Sequence, residues 1–224
     1  MKTFMLHISL LLAAMLGTSL SAQIISTDPN LPGTPQGFYT NSSGPLSVNY
    51  IFSVSTTASV SGVDLKNFTG ISRVNGVSDE TDSFSGSLFF ANISFNESPV
   101  IPMTSVTSSG SWVLYNKVGQ TTGTFATELL SLNIRTVTAA GTFFLRESPT
   151  LASTGSTTIA GLGGGQYSIN SYFDVYTEIS TDDVNWVPAS DPIQLELTVV
   201  PEPTTIGLVV VGLLGALGIR RRKA

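Results

Sequence analysis

Residues 172–179 read Tyr-Phe-Asp-Val-Tyr-Thr-Glu-Ile, and residues 193–199 read Ile-Gln-Leu-Glu-Leu-Thr-Val. Apolar and polar side chains alternate in both stretches, so that Phe173, Val175 and Ile179 share one face of the first. Alternation with a period of two is typical of half-buried strands in antiparallel sheets. We therefore predict two neighbouring antiparallel strands here, the first of them ending in a polar turn.

The rest of the chain's middle part carries similar patterns, separated by Gly, Asn and Pro. Residues 23–45 are rich in Pro, Gly, Asn and Ser and are predicted to be an irregular lead-in. No sustained helical stripe of apolar residues occurs before the C-terminal tail. The fold class predicted is an all-β, antiparallel β-sandwich or jelly-roll-like body. Strands are expected near residues 46–60, 63–73, 83–96, 100–107, 111–118, 122–138, 141–147, 155–160, 166–180, 185–188 and 192–200.

Composition excludes several classes of function. The chain has no cysteine, and its one histidine, His7, lies near the N-terminus. The body therefore cannot build Ser-His-Asp or Cys-His nucleophiles, thiolate or imidazole zinc sites, or a histidine-ligated haem. Only five of the ten Lys and Arg residues lie in the body, and the net charge of the chain is −5. Nucleic acid is excluded as a partner because phosphate binding needs basic patches. Since histidine and cysteine are missing from the body, we also expect no enzyme activity, cofactor or metal site.

Residues 180–186 read Ser-Thr-Asp-Asp-Val-Asn-Trp. This segment resembles the Asp-box pattern Ser-x-Asp-x-Gly-x-x-Trp, although the Gly is absent and one spacer residue is missing. We predict a structural turn in which Asp182 caps the backbone and Trp186 packs onto the apolar face of residues 172–179.

Two groups of acidic residues are candidate binding or catalytic sites, and each also has a purely structural interpretation. Asp79, Glu80 and Asp82 are expected to form a solvated acidic loop, with calcium binding as the alternative. The second group lies on the polar faces of the predicted strands and is interpreted as ordinary surface charge. It comprises Asp174, Glu178 and Glu196, flanked by Tyr172 and Tyr176. Paired carboxylates in a cleft would instead favour glycoside hydrolysis, and exposed tyrosines would favour glycan binding.

The N-terminal residues 1–22 have the pattern of a secretory signal peptide. Lys2 is followed by an apolar stretch at 4–16 and then by small residues, with cleavage expected after Ser21 or Ala22. We predict a signal-peptide helix and export of the body.

The C-terminal residues 200–224 form a three-part tail. Pro201, Glu202 and Pro203 precede an apolar run, Ile206–Ile219, of 14 residues. This run is predicted to be a short transmembrane helix, since a full span needs about 20 apolar residues. A cytoplasmic basic stop follows, made of Arg220, Arg221, Arg222 and Lys223.

This order of Pro-Glu-Pro, short glycine-bearing apolar helix and Arg cluster resembles the PEP-CTERM sorting signal of Gram-negative bacteria. The resemblance implies processing by an exosortase, a membrane-embedded cysteine transpeptidase-like enzyme, with transient residence in the inner membrane. It also implies delivery to the cell surface or extracellular matrix.

The sequence thus predicts a signal peptide at 1–22, an extracytoplasmic β domain at 23–199 and a sorting signal at 200–224. The function predicted is that of an exported, non-enzymatic surface or matrix protein of unknown molecular activity. A glycan- or calcium-binding matrix module, with extracellular polysaccharide as partner, is one alternative, and a carboxylate-dependent glycoside hydrolase is another.

Overall fold

The computed structural model describes residues 24–32, 37–41, 47–105 and 107–199. These residues form sixteen β-strands and no helix, and every strand pair is antiparallel. The prediction of an all-β antiparallel body is confirmed. The predicted signal-peptide helix and C-terminal helix lie outside the described residues.

The strands are β1 (Ile24–Ser26), β2 (Gly37–Thr40), β3 (Ser47–Ser53), β4 (Thr56–Thr69), β5 (Ser72–Asn75), β6 (Glu80–Phe84), β7 (Gly86–Phe95), β8 (Ile101–Ser105), β9 (Ser109–Leu114), β10 (Gly123–Thr138), β11 (Gly141–Glu147), β12 (Ser153–Gly163), β13 (Gln166–Val175), β14 (Thr177–Ser180), β15 (Val187–Pro188) and β16 (Ile193–Val199).

All sixteen strands are hydrogen-bonded into one curled sheet, whose main path runs β15-β14-β11-β10-β12-β13-β16-β2-β4-β7-β8. The two longest strands branch the sheet. The strand β4 pairs with β2, β3 and β7, and β10 pairs with β9, β11 and β12. An isolated bridge joins Tyr50 of β3 to Ala189, the residue that follows β15. Where the sequence predicts a sandwich or jelly-roll-like body, the described residues form one curled antiparallel sheet.

The buried apolar side chains of these strands form a single hydrophobic core. The ring of Tyr39 on β2 lies 5.6 Å from that of Phe173 on β13 and 6.2 Å from that of Trp112 on β9. The face predicted from alternation is confirmed, because Phe173, Val175 and Ile179 are at most 2% exposed. Burial of these large apolar side chains is the main favourable contribution to folding.

Several strand bounds of the prediction are wrong. The predicted strand 46–60 is divided, because β3 ends at Ser53 and β4 begins at Thr56, and β4 continues to Thr69 across the break predicted near residue 61. Two further differences change the strand pairing. Residues 23–45 are not an irregular lead-in throughout, because Ile24–Ser26 pairs with β13 and Gly37–Thr40 pairs with β16 and β4. The stretch 166–180 is not one strand. It breaks at Tyr176, so that β13 pairs with β12 and β16, whereas β14 pairs with β11 and β15. In both places tertiary pairing outweighs the local pattern.

Candidate functional site

The last strand of the body leads directly into the C-terminal tail. The strand β16 lies inside the sheet, between β13 and β2, with Leu195 opposite Phe173 and Val199 opposite Gly37. The fold therefore holds the chain up to residue 199. Pro201 follows after a single intervening residue, so its Cα lies at most about 7.6 Å from that of Val199.

Residues 199–223 match the family model of the PEP-CTERM protein-sorting motif. The chain carries this motif. The resemblance predicted from Pro201, Glu202 and Pro203 is thereby confirmed. The PEP-CTERM motif implies an exported protein that is recognised by an exosortase and sorted with transient residence at the membrane. No curated protein and no solved structure matches the chain.

The match places the PEP-CTERM motif immediately after the fold, since its first residue, Val199, is also the last residue of β16. Pro201, Glu202 and Pro203 lie outside the described residues, as do Arg220, Arg221, Arg222 and Lys223. Within the described ranges, no helix is long and apolar enough to cross a membrane.

The Asp182 carboxylate organises the turn after β14. Its Oδ1 accepts hydrogen bonds from the backbone N–H groups of Val184 and Asn185 at 2.9 and 2.8 Å. These bonds hold the pKa of Asp182 well below its usual range. Asp183 takes the left-handed conformation, with a φ of 63°. An Asp tolerates this region better than most residues, which explains how the turn forms without the Gly of the Asp-box pattern.

Trp186 lies on the outer face of the sheet. The guanidinium carbon of Arg146 is 3.9 Å from the centroid of the Trp186 ring, and Nη2 of Arg146 is 2.7 Å from Oε2 of Glu178. The ring is half-buried and rests on this ion pair. It does not pack onto the apolar face of Phe173, as the sequence pattern predicted. The reason is register: Ile179 pairs with Val187, so Trp186 falls on the face that carries Glu178.

The expected solvated acidic loop is wrong for two of its three residues. Asp82 is fully buried and Glu80 is 5% exposed. The Nε of Arg73 lies 2.8 Å from Oδ1 of Asp82 and 3.6 Å from Oε1 of Glu80. The buried Lys117 adds a second cation, with Nζ at 3.9 Å from Oε2 of Glu80. Only Asp79 lies in a loop, where it accepts hydrogen bonds from Ser78 and from the backbone of Asn116.

This ion cluster shows how the fold uses the acidic residues. Their charges are compensated by Arg73 and Lys117, so the carboxylates hold neighbouring strands together. The described part of the chain contains no group of three or more His, Cys, Asp or Glu residues that could hold a metal ion.

The carboxylates Asp174, Glu178 and Glu196 do not converge on one cleft. Asp174 accepts a hydrogen bond from Gln194 Nε2 at 2.9 Å, and Glu196 lies opposite Tyr172 on the paired strand. Glu178 is on β14, in another part of the sheet. Tyr172 is 38% exposed, and together with Asp174 and Glu196 it forms a polar and aromatic surface.

One carboxylate pair escaped the sequence prediction. Glu128 on β10 and Glu147 at the end of β11 line an open groove of about 320 Å³. Burial, and then the charge of Glu128, raise the pKa of Glu147 to about 7, against an opposing hydrogen bond from Ser153. Tyr115 donates a hydrogen bond to Glu128. The sequence pattern does not predict that Glu128 and Glu147 lie close together, because they meet only through the pairing of β10 with its neighbouring strands.

Proposed function

We propose that this PEP-CTERM protein is a non-enzymatic component of the cell surface or extracellular matrix. An exosortase delivers it there by reading Pro201, Glu202 and Pro203. The observation that carries the proposal is the sorting motif at residues 199–223, attached to the last strand of a β body.

The chemistry of the body supports a structural role. Its residues beyond 22 include neither histidine nor cysteine. Two of the carboxylates that the sequence singled out serve in ion pairs, Asp82 with Arg73 and Glu178 with Arg146. A body that packs one core and carries a polar, Ser- and Thr-rich outer surface suits a role outside the cytoplasm.

The substitution Glu202→Ala tests the proposal in a strain that has an exosortase. We expect it to block processing and release, because the change removes the charged centre of the motif and leaves the apolar run Ile206–Ile219 intact. The control is Asp191→Ala, which removes an exposed carboxylate in the loop before β16 and should be processed normally. Unchanged mass and unchanged release of the Glu202→Ala protein would contradict the proposal, since a simple membrane anchor would not respond to this change.

A second function, glycan binding within the matrix, is favoured by the surface around Tyr172. This ring is 38% exposed beside Asp174 and Glu196, and a flat aromatic ring with neighbouring carboxylates suits the apolar face and hydroxyl groups of a sugar. A glycan array probed with the body tests this function. If the body binds a glycan, and if Tyr172→Ala abolishes this binding while the control Tyr115→Ala leaves it unchanged, glycan binding becomes the leading proposal for the function.

A further inference from the structure

The sorting motif has almost no linker between it and the fold. The strand β16 is an inner strand, hydrogen-bonded to β13 on one side and to β2 on the other. Its side chains Ile193, Leu195 and Leu197 are at most 6% exposed. Detaching this strand would expose three large apolar residues to water and would break the hydrogen bonds of two strand ladders. The body therefore stays folded up to the motif when the motif is read.

The end of the body from which the tail leaves can be defined from the register. We name it the exit end. It comprises the ends of β16 and β2, where Val199 pairs with Gly37, and the turn between β12 and β13, where Gly163 pairs with Gln166. The strand β13 runs antiparallel to β16, and its Tyr172 lies opposite Glu196. Going from Tyr172 back to Gln166 therefore leads in the same direction as going from Glu196 on to Val199, so the turn lies at the end where the tail leaves. The turn between β3 and β4, at Val54, lies at the opposite end of the sheet.

We infer that the exit end is a docking surface for the sorting enzyme. An enzyme that acts on Pro201, Glu202 or Pro203 must hold residues on both sides of the bond that it cleaves. Pro203 is four residues after Val199, so the whole Pro-Glu-Pro motif lies within about 15 Å of chain from the last strand. The enzyme that holds this motif therefore works next to the exit end of a folded domain. The surface around the enzyme's active site must therefore contact the exit end and be complementary to it in shape. The inference rests on the proposed function, because it assumes that an exosortase reads the motif.

Cysteine labelling tests this contact, since the chain has no cysteine of its own. Leu162→Cys places a thiol at the exit end, where the side chain is 50% exposed, and Ile25→Cys provides a second one on β1, where it is 57% exposed. Val54→Cys is the control at the opposite end, fully exposed. The full chain is expressed with an inactive exosortase that binds and does not cleave, and spheroplasts are treated with a membrane-impermeant polyethylene glycol maleimide.

We expect the inactive enzyme to slow the labelling of the thiols at Leu162 and Ile25 several-fold, each compared with its own rate without the enzyme, and to leave the rate at Val54 unchanged. A Gly/Ser linker of about ten residues inserted after Val199, which spans roughly 18 Å, should remove the protection. Equal rates at Leu162 and Ile25 with and without the enzyme would overturn the inference. Protection that persists without the enzyme would also overturn it, since the membrane itself would then cover the exit end. Failure of the active enzyme to process the wild-type chain would instead count against the proposed function.

Discussion

Replacing Arg73 by alanine tests the buried ion cluster that joins β5 to β6. The guanidinium group lies 2.8 Å from Asp82 and 3.6 Å from Glu80. Asp82 is fully buried and Glu80 is 5% exposed, so neither carboxylate can turn to bulk water. Removing one partner of a buried ion pair costs about 3–5 kcal/mol, because an uncompensated charge is left in the interior. We expect the free energy of unfolding to fall by about this amount at a pH near 8.

The pH dependence of this loss is a sharper test. Burial raises the pKa of Asp82 to about 6, although Arg73 opposes the shift. The native state therefore holds this proton more tightly than the unfolded chain, whose Asp titrates near about 3.9. Native stability accordingly falls as the pH rises between these two values. Without Arg73 the pKa of Asp82 should rise further, and at about pH 5 the carboxyl group would be protonated and would need no cation. The loss caused by Arg73→Ala should thus be smaller at about pH 5 than at about pH 8.

Urea unfolding of residues 23–199, followed by tryptophan fluorescence, measures both effects, since Trp112 lies opposite Asp82 on the paired strand. The matched control is Arg135→Ala, which removes an exposed arginine of β10 and should change the free energy of unfolding by no more than about 0.5 kcal/mol. The reasoning is refuted if Arg73→Ala unfolds like the wild-type body at about pH 8, or if it loses as much stability at about pH 5.

Three further substitutions probe other parts of the body by the same unfolding assay. Trp186→Ala should cost about 0.5–2 kcal/mol, as expected for a half-buried ring stacked on Arg146, and a loss typical of a core tryptophan would show that the ring packs inward. The pKa of Asp182 is lower in the folded state than in the unfolded chain, so the wild type loses the stabilisation from this carboxylate as the pH falls below about 4. Asp182→Asn should lack this stabilisation. If the variant loses as much stability below about pH 4 as the wild type does, the hydrogen bonds of the turn do not have this effect. Glu147→Gln should remove the part of the fall in wild-type stability that Glu147 causes between about pH 4.3 and its folded pKa of about 7, and should leave the part caused by Asp82. A fall of the same size as in the wild type would show that Glu147 is not the titrating group.

The alternation of residues 172–179 and 193–199 was sufficient to predict antiparallel strands there and the burial of Phe173, Val175 and Ile179. Period-2 patterns report which side of a strand faces the core, whatever its neighbours are. They do not report which strands pair. The sequence therefore could not show that Glu128 and Glu147 share a groove, or that Tyr176 separates two strands with different neighbours.

The charged and aromatic residues show a second limit. Glu80 and Asp82 alternate with Thr81 and Ser83 and looked like a polar loop, but the cations that compensate them, Arg73 and Lys117, come from other segments. Burial of a charge depends on such partners, which composition cannot reveal. Trp186 was placed on the wrong face because the missing spacer residue in the turn made its parity uncertain.

The sorting motif, in contrast, was readable from sequence alone, since its parts follow one another along the chain: Pro201, Glu202 and Pro203, then Ile206–Ile219 and the basic residues. A signal of this kind depends on order and spacing. It needs no tertiary contact to be recognised.

The central claim is that the motif is processed by an exosortase, and the intact mass of the exported protein tests it most directly. The full chain is expressed in two otherwise identical strains, one with and one without the exosortase, and the protein is recovered from the cell surface and from membranes. We expect a surface form that has lost Ile206–Ile219 and the basic residues in the first strain, and a membrane-held form that retains the tail through Ala224 in the second. A protein that keeps its whole tail in both strains would contradict the account.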